Sequence, residues 1–296
     1  MAYVVAVDVG GTAIKSALVD SNLTIIDTLS VSTPKNDPTG AAVASAIEAI
    51  VDHFKSHGAI SALGLAVPGA LDEPAGIARW TGNLGWKNLP IVALVEEKIG
   101  IPVAFKHDVR AGARAEMHNG SLRGIANGIF LPIGTGIAAA FILDGEIRAA
   151  DGYAGEVGHI NVGSNRTCVC GKVGCLEATS STLAISHAYK ARSGIECTTE
   201  EIVASIDTDE IARQVWAEAV QGLVSGCMYM ITMIAPEVIS LGGGLARSGE
   251  LLVSAINAGL DREITFQRRP QLRLAHHGAQ AGSIGCALIA LDLLHE

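Results

Sequence analysis

Two stretches of this chain run through the same order of elements. Residues 4–9, 13–20 and 24–31 read as successive strands, with turns at Gly10-Gly11 and Asp20-Ser21-Asn22. Helical spacing follows over 39–57, then a strand over 60–67 closed by Pro68-Gly69, a helix over 91–99, a strand over 103–106 and a helix over 109–118. The pattern restarts at residue 125. Residues 125–132, 136–143 and 146–149 are strand-like, and after a glycine- and cysteine-rich insertion come helices over 183–191, 199–206 and 210–234. Strands over 238–241 and 272–274 and a helix over 281–294 complete the chain. Strands alternating with helices predict an α/β fold. Two similar blocks predict a sheet in each of two lobes and a central cleft for a ligand.

Composition allows such a fold without crosslinks. Of 296 residues 49% are apolar and 17% charged, enough for a large core of Ala, Val, Ile and Leu. The formal charge of −9 argues against a nucleic-acid or anionic-membrane partner. The N-terminus has no basic region and meets Asp8, which is unlike a signal peptide. Two long uncharged stretches are better read inside a water-soluble core. Residues 124–143 are broken by Pro132 and Gly134-Thr135-Gly136, and 219–236 carries Gln221, Ser225 and Thr232. A cytoplasmic protein that spans no membrane is expected.

Glycine is over-used, at 34 residues, and three of its clusters end strands. In Asp8-Val9-Gly10-Gly11-Thr12 the glycines let backbone N–H groups face an anion, Thr12 adds a hydroxyl, and Asp8 can hold a divalent cation. An ordinary hairpin is the alternative, and the spacing is neither that of a Walker A loop nor of a dinucleotide fingerprint. Gly134-Thr135-Gly136 occupies the same hairpin position in the second block. Two Gly-Thr turns could hold the β- and γ-phosphates of a nucleotide, with Gly242-Gly243-Gly244 as a flat floor for its base or ribose.

The densest chemistry lies between Glu156 and Glu177. His159, Cys168, Cys170 and Cys175 are four soft or borderline ligands, the set of a closed tetrahedral zinc site, with Gly171 and Gly174 for the sharp turn. Disulfides or free thiols are the alternative. Glu156 and Glu177 flank these ligands, so a bound ion would fix both carboxylates, and the second nitrogen of His159 could meet a polyol. Cys197, Cys227 and Cys286 read as small buried hydrophobes. Asp108 follows a strand and opens a helix, where it can serve as an N-cap, as a catalytic carboxylate, or as both.

Together these motifs resemble the ROK family (repressors, open reading frames and kinases) of the actin-like, sugar kinase and Hsp70 superfold, over essentially the whole chain. Asp8-x-Gly10-Gly11-Thr12-x-x-Lys15 is similar to its first phosphate motif and Gly134-Thr135-Gly136 to its second. The His159 and Cys168, Cys170, Cys175 pattern is similar to its zinc signature, Gly242-Gly243-Gly244 to its adenosine turn, and Ala281-Gly282-x-x-Gly285 to its closing helix. The resemblance implies a two-lobed actin-like ATPase (ribonuclease H-like) fold with a zinc-binding insertion. Residues 1–118 with 279–296 would form the N-terminal lobe and 119–278 the C-terminal lobe.

It further implies an ATP-dependent hexose kinase using Mg2+ and a structural Zn2+. Asp108 would take the proton from the 6-hydroxyl of the sugar, expected to be glucose. Gly69, Asn83, His107, Glu156, His159 and Glu177 would bind sugar beside it. Asp8, Gly10, Gly11, Thr12, Lys15, Gly134, Thr135, Gly136, Gly243 and Gly244 would hold the nucleotide. A homodimer is implied by the family alone. Two departures stand out: His107 where the family usually has Asn, and Ala138-Ala139-Ala140 where it continues with glycines. The first leaves N-acetylmannosamine, N-acetylglucosamine or another hexose as alternative substrates. A sugar-responsive transcription regulator is a further alternative, disfavoured by the seven residues before Asp8 and the net charge of −9.

Overall fold

The computed structural model describes residues 3–295. It opens with β1 (Tyr3–Val9), β2 (Ala13–Val19) and β3 (Ile25–Ser32), followed by α1 (Ala41–Phe54) and β4 (Ile60–Val67). Three short strands come next: β5 (Ala70–Asp72), β6 (Ile77–Thr81) and β7 (Trp86–Leu89). After them lie α2 (Ile91–Ile99), β8 (Val103–His107) and α3 (Asp108–Asn119). The second block has β9 (Gly128–Pro132), β10 (Ala140–Leu143), β11 (Glu146–Arg148), α4 (Leu176–Ser180), α5 (Thr182–Ser193), α6 (Thr199–Ala204) and α7 (Glu210–Ile234). It continues with β12 (Val238–Gly242), α8 (Glu250–Glu263) and β13 (Gln271–Leu274), and α9 (Ala281–Leu293) closes the chain.

Two compact units result. One comprises Met1–His118, Ala149–Ala154 and Gln280–Glu296; the other comprises Asn119–Arg148 and Gly155–Ala279. Each has a five-stranded sheet, ordered β3-β2-β1-β4-β8 in the first and β11-β10-β9-β12-β13 in the second. In both, the first three strands pair antiparallel through hairpins and the last two join parallel through helical crossovers. The repeat legible in the sequence is therefore a repeat of topology.

The sheet of the first unit is buried on both faces, and the alternation of its strands divides two cores. Val5, Val7 and Val9 point to α1 and α2, among Ile47, Phe54, Leu63, Leu65 and Val95. Val4, Ala6, Ala62 and Ala66 point the other way, to Ala111 of α3 and to Cys286, Ala287 and Ala290 of α9. This second face is built of small residues so that α9 can approach the backbone. A Cβ on Gly64 would lie 1.9 Å from the Cys286 carbonyl oxygen, and one on Gly285 would lie 1.9 Å from that of Ala111. In the second unit Ile129, Leu131, Ile239 and Leu241 of the sheet share a core with Leu223, Cys227 and Met230 of α7 and Leu252, Ile256 and Leu260 of α8. Among the described residues α7 is the one helix long and apolar enough to cross a membrane, and half of that stretch is buried in this core.

The structure corrects the sequence reading in several places, the short helix α4 among them. The small sheet β5-β6-β7 was not expected, because strands of three to five residues carry too little alternation. Helix α8 was also missed, although its buried positions 252, 253, 256 and 260 have helical spacing; Gly249 precedes it with no side-chain cap to mark the start. The expected strand over 125–132 begins only at Gly128, since a turn with Ile125 N–H on the Leu122 carbonyl occupies its front. That over 136–143 begins at Ala140, because the glycine turn extends beyond Gly136 and closes with an isolated bridge between Ile133 and Ile137.

Gly64→Ala should cost about 2 kcal/mol of unfolding free energy, since the new methyl meets backbone rather than a movable side chain. Urea unfolding of the variant measures it; an unchanged midpoint would contradict the close approach of α9.

Candidate active site

In the first unit the β1–β2 turn is tied through its carbonyls and the Gly10 amide, and two of its amides are left unpaired among the described residues. Gly10 N–H donates to Ala13 O at 3.0 Å, Thr33 N–H to Thr12 O at 3.0 Å, and the Thr33 hydroxyl to Gly10 O at 2.6 Å. The Lys35 ammonium donates to Gly11 O. The Gly11 and Thr12 amides have no partner among the described residues, and Thr12 is exposed. Such a nest suits an anion. Thr33 and Lys35 were not anticipated, because they sit in a loop without a motif.

Asp8 closes β1 opposite Lys15 on β2. Gly282 at the start of α9 stands over it, so near that a Cβ there would lie 3.0 Å from Asp8 Oδ2. Burial, and then the neighbouring charge of Asp108, push the Asp8 carboxyl up to about 7, against the opposing pull of Lys15. Asp8, beside the first glycine turn, and Asp108 are thus close enough to feel each other. Two carboxylates in one partly dry place suit a divalent cation.

Asp108 is the first residue of α3, at the carboxyl end of β8. Its Oδ1 accepts the Val109 N–H at 2.7 Å, and its side chain keeps 34% of its surface exposed. His107 is buried at 5% exposure, and its Nδ1 accepts the same Val109 N–H at 3.2 Å. The ring of His107 thus shares with Asp108 the first amide that a cap of α3 would accept. Asn83 rests on the first turn: a Cβ on Gly11 would come 2.9 Å from the Asn83 Cβ. Gly69, at φ 103°, packs against the backbone of Trp80.

The second unit repeats the device. Gly134 N–H donates to Gly136 O at 2.9 Å and Thr182 N–H to Gly134 O at 2.8 Å, while the Thr135 and Gly136 amides have no partner among the described residues. Gly243, at φ 75°, lies against Ile133, where a Cβ would come 2.4 Å from the carbonyl oxygen. The Gly243-Gly244 turn therefore packs on the root of this second turn. Glu177, on α4, accepts the Ile137 N–H at 2.9 Å through Oε2 and leaves Oε1 free of any hydrogen bond among the described residues. Glu156 is exposed and precedes the turn Val157–His159, whose Gly158 packs on Ile137 and Glu177.

His159, Cys168, Cys170 and Cys175 converge, with one ligand atom from each within 4.8 Å of all the others. Cys168 Sγ is 3.6 Å from His159 Nδ1, and Cys170 Sγ is 3.7 Å from Cys175 Sγ. With Zn–S at about 2.3 Å and Zn–N at about 2.0 Å, tetrahedral ligands stand about 3.3–3.8 Å apart, so the set fits one ion. All six cysteines are free, so the disulfide alternative is set aside. Burial and its thiol neighbours push Cys175 up to about 12, and the Lys172 amide holds Cys170 below the usual thiol value. Nδ1 of His159 faces the cysteines, which leaves Nε2 to face elsewhere. Arg166, another residue that sequence reasoning missed, braces this loop by donating to Thr179 O at 3.2 Å and to Glu218 at 2.6 Å. A cavity of about 380 Å³ opens beside Thr135, Cys168, Glu177 and His187.

Paired sheets of one topology, each turning through Gly-Thr at its first hairpin, define an actin-like ATPase fold. Within that class the chain belongs to the ROK family, whose sequence profile matches residues 4–293. It is 30% identical to a glucokinase of Halalkalibacterium halodurans, over 96% of this chain and 93% of that one. Its structure resembles that of a ROK hexokinase from Thermus thermophilus, 30% identical with a TM-score of 0.82, covering 99% of this chain and 100% of the other. A ROK family glucokinase from Streptomyces griseus, in complex with glucose and AMPPNP, is 27% identical with a TM-score of 0.86, over 98% and 99% of the two chains.

The raised Asp8 carboxyl has a stability consequence. The folded protein holds this proton up to about pH 7 while the unfolded chain releases it near 3.8, so Asp8 costs stability increasingly as pH rises between those values. With no nucleotide or divalent cation added, Asp8→Asn should gain on the parent protein from pH 5 to pH 8 in thermal melts, by several degrees at the upper end. A difference that does not change with pH would contradict the burial of this charge.

Proposed function

We propose that this ROK protein is an ATP-dependent hexose kinase that phosphorylates the 6-hydroxyl of its sugar, glucose first among the candidates. The observation that carries this reading is the placement of Asp108: a partly exposed carboxylate, fixed through one oxygen at a strand–helix junction, within electrostatic reach of Asp8 beside the turn that ends in Thr12. Its other oxygen is available to accept a proton.

The residues divide the work as follows. Asp108 takes the 6-hydroxyl proton as that oxygen attacks the γ-phosphorus, and the bond from the γ-phosphorus to the bridging oxygen breaks to release ADP. The unpaired amides of Gly11, Thr12, Thr135 and Gly136 and the hydroxyls of Thr12 and Thr135, with Lys15, hold the phosphates, Gly10 and Gly134 shape the two turns, and Gly243-Gly244 underlies the adenosine. Asp8 would hold the Mg2+ that arrives with ATP and offsets the charge of the phosphoryl group. Most of the rate then comes from position and charge neutralisation.

Glu156, Glu177 and His159 would bind the sugar hydroxyls, with Gly69 and Asn83 lining the pocket. His159, Cys168, Cys170 and Cys175 would hold a structural Zn2+ that keeps the Glu177 region rigid. His107 turns its Nδ1 toward the Val109 N–H and Asp108 Oδ1, which leaves Nε2 as the ring atom that would bear on which hexose is taken.

Asp108→Asn should leave sugar affinity within a few-fold and lower kcat by about 10³-fold. ADP release coupled to a reporter, run across glucose, mannose, N-acetylmannosamine and N-acetylglucosamine, measures both this and the substrate. Near-normal turnover in the variant would refute the base. Elemental analysis should find one zinc per chain. Removing it by chelation should weaken sugar binding and turnover together, and full activity of zinc-free protein would remove the metal from the account.

A further inference from the structure

We propose that Glu73 and Arg110 are positioning residues for the transfer: a buried ion pair that fixes the backbone carrying Asp108 and is kept for geometry rather than for stability. The proposal rests on the kinase reading above.

Arg110 follows Asp108 by two residues on α3 and is only 1% exposed. Its Nε donates to Glu73 Oε1 at 2.7 Å and its Nη1 to the Ala154 carbonyl at 3.2 Å, while Nη2 is buried with no partner among the described residues. Glu73 lies in the turn between β5 and β6, its side chain 14% exposed. The same Oε1 accepts the backbone N–H of His107 at 3.1 Å, and Lys106 Nζ stands 3.5 Å from Oε2. One carboxylate oxygen therefore clamps the last amide of β8 that precedes Asp108 and the guanidinium that follows it. Burial opposes an ionised Glu73, but Arg110, Lys106 and the His107 amide outweigh it and hold the carboxyl below its ordinary range.

Stability alone does not call for this pair. Taking a guanidinium and a carboxylate out of water costs about what their attraction returns, and apolar pairs of like volume commonly match such bridges. The orphaned Nη2 makes this one poorer still. An apolar pair, however, could bind neither the His107 amide nor the Ala154 carbonyl.

Ala154 ends a segment that needs holding. Ala150 and Asp151 adopt left-handed φ values of 46° and 54°, and Gly152 packs on β5 so closely that a Cβ would lie 1.8 Å from Leu71 O. Non-glycine residues keep such conformations only where their surroundings impose them. In sequence this segment leads directly to Glu156. A single ion pair thus sets both the junction under Asp108 and the stretch of chain that runs to Glu156.

The test compares E73L/R110L, Arg110→Leu and Glu73→Gln with the parent protein. The double variant should melt within a few degrees of the parent, keep its KM for ATP within about twofold, and lose about 100-fold in kcat, the usual effect of an ångström-scale misplacement. Arg110→Leu alone should melt lower, because it strands a buried carboxylate. Glu73→Gln, which still accepts the His107 amide, should retain kcat within about tenfold. A double variant that turns over like the parent overturns the proposal. So does one that fails to fold, since the pair would then be structural. Failure of the kinase reading looks different: parent protein that releases no ADP with any hexose, which would remove this proposal with it.

Discussion

Peptide N–H groups left unpaired, among the described residues, in two Gly-Thr hairpins are the constraint on which the rest depends. A hairpin normally spends its amides and carbonyls on itself. In both turns here the carbonyls are drawn back, to Thr33 and Lys35 in one and to Thr182 in the other, and the amides of the central residues remain without partners among the described residues. Glycine makes this possible, because a turn this tight leaves little room for side chains. Each turn springs from a five-stranded sheet packed on a buried core, the kind of support that holds donors in place for electrostatic stabilisation without reorganisation.

Each unit then adds one kind of carboxylate to its turn. In the first, Asp8 and Asp108 share a partly dry region, and their mutual repulsion raises Asp8. In the second, Glu177 is latched to the turn by the Ile137 amide and followed along the chain by α5. On the kinase reading the first pair handles proton and cation and the second handles the sugar. The His-Cys₃ cluster then fixes what a five-residue helix could not hold alone.

Much of this was legible in the sequence, for identifiable reasons. The repeat of strand, glycine turn and strand survives in the sequence because the strands on either side of each turn are largely apolar, and it folds into two sheets of one order. The His-Cys₃ cluster was legible because all four ligands lie within seventeen residues (159–175), and local spacing is what sequence reading handles best. Glu73 and Arg110, 37 positions apart, offer no such signal, nor do Glu177 and Ile137, 40 apart. Only the fold brings them together. His107 illustrates a different limit: its ring shares the Val109 amide with Asp108 at the start of α3, a role usually filled by Asp, Asn or Ser alone, so propensity pointed only to its neighbour.

The central claim is that Asp108 receives the proton of the hydroxyl that becomes phosphorylated. A crystal structure of the protein with glucose and a non-hydrolysable ATP analogue tests it most directly. The account predicts one Asp108 carboxylate oxygen within hydrogen-bond distance of the sugar 6-hydroxyl, with that hydroxyl in line with the γ-phosphorus. A sugar bound with its 6-hydroxyl turned away from Asp108, or against a different carboxylate, would contradict it.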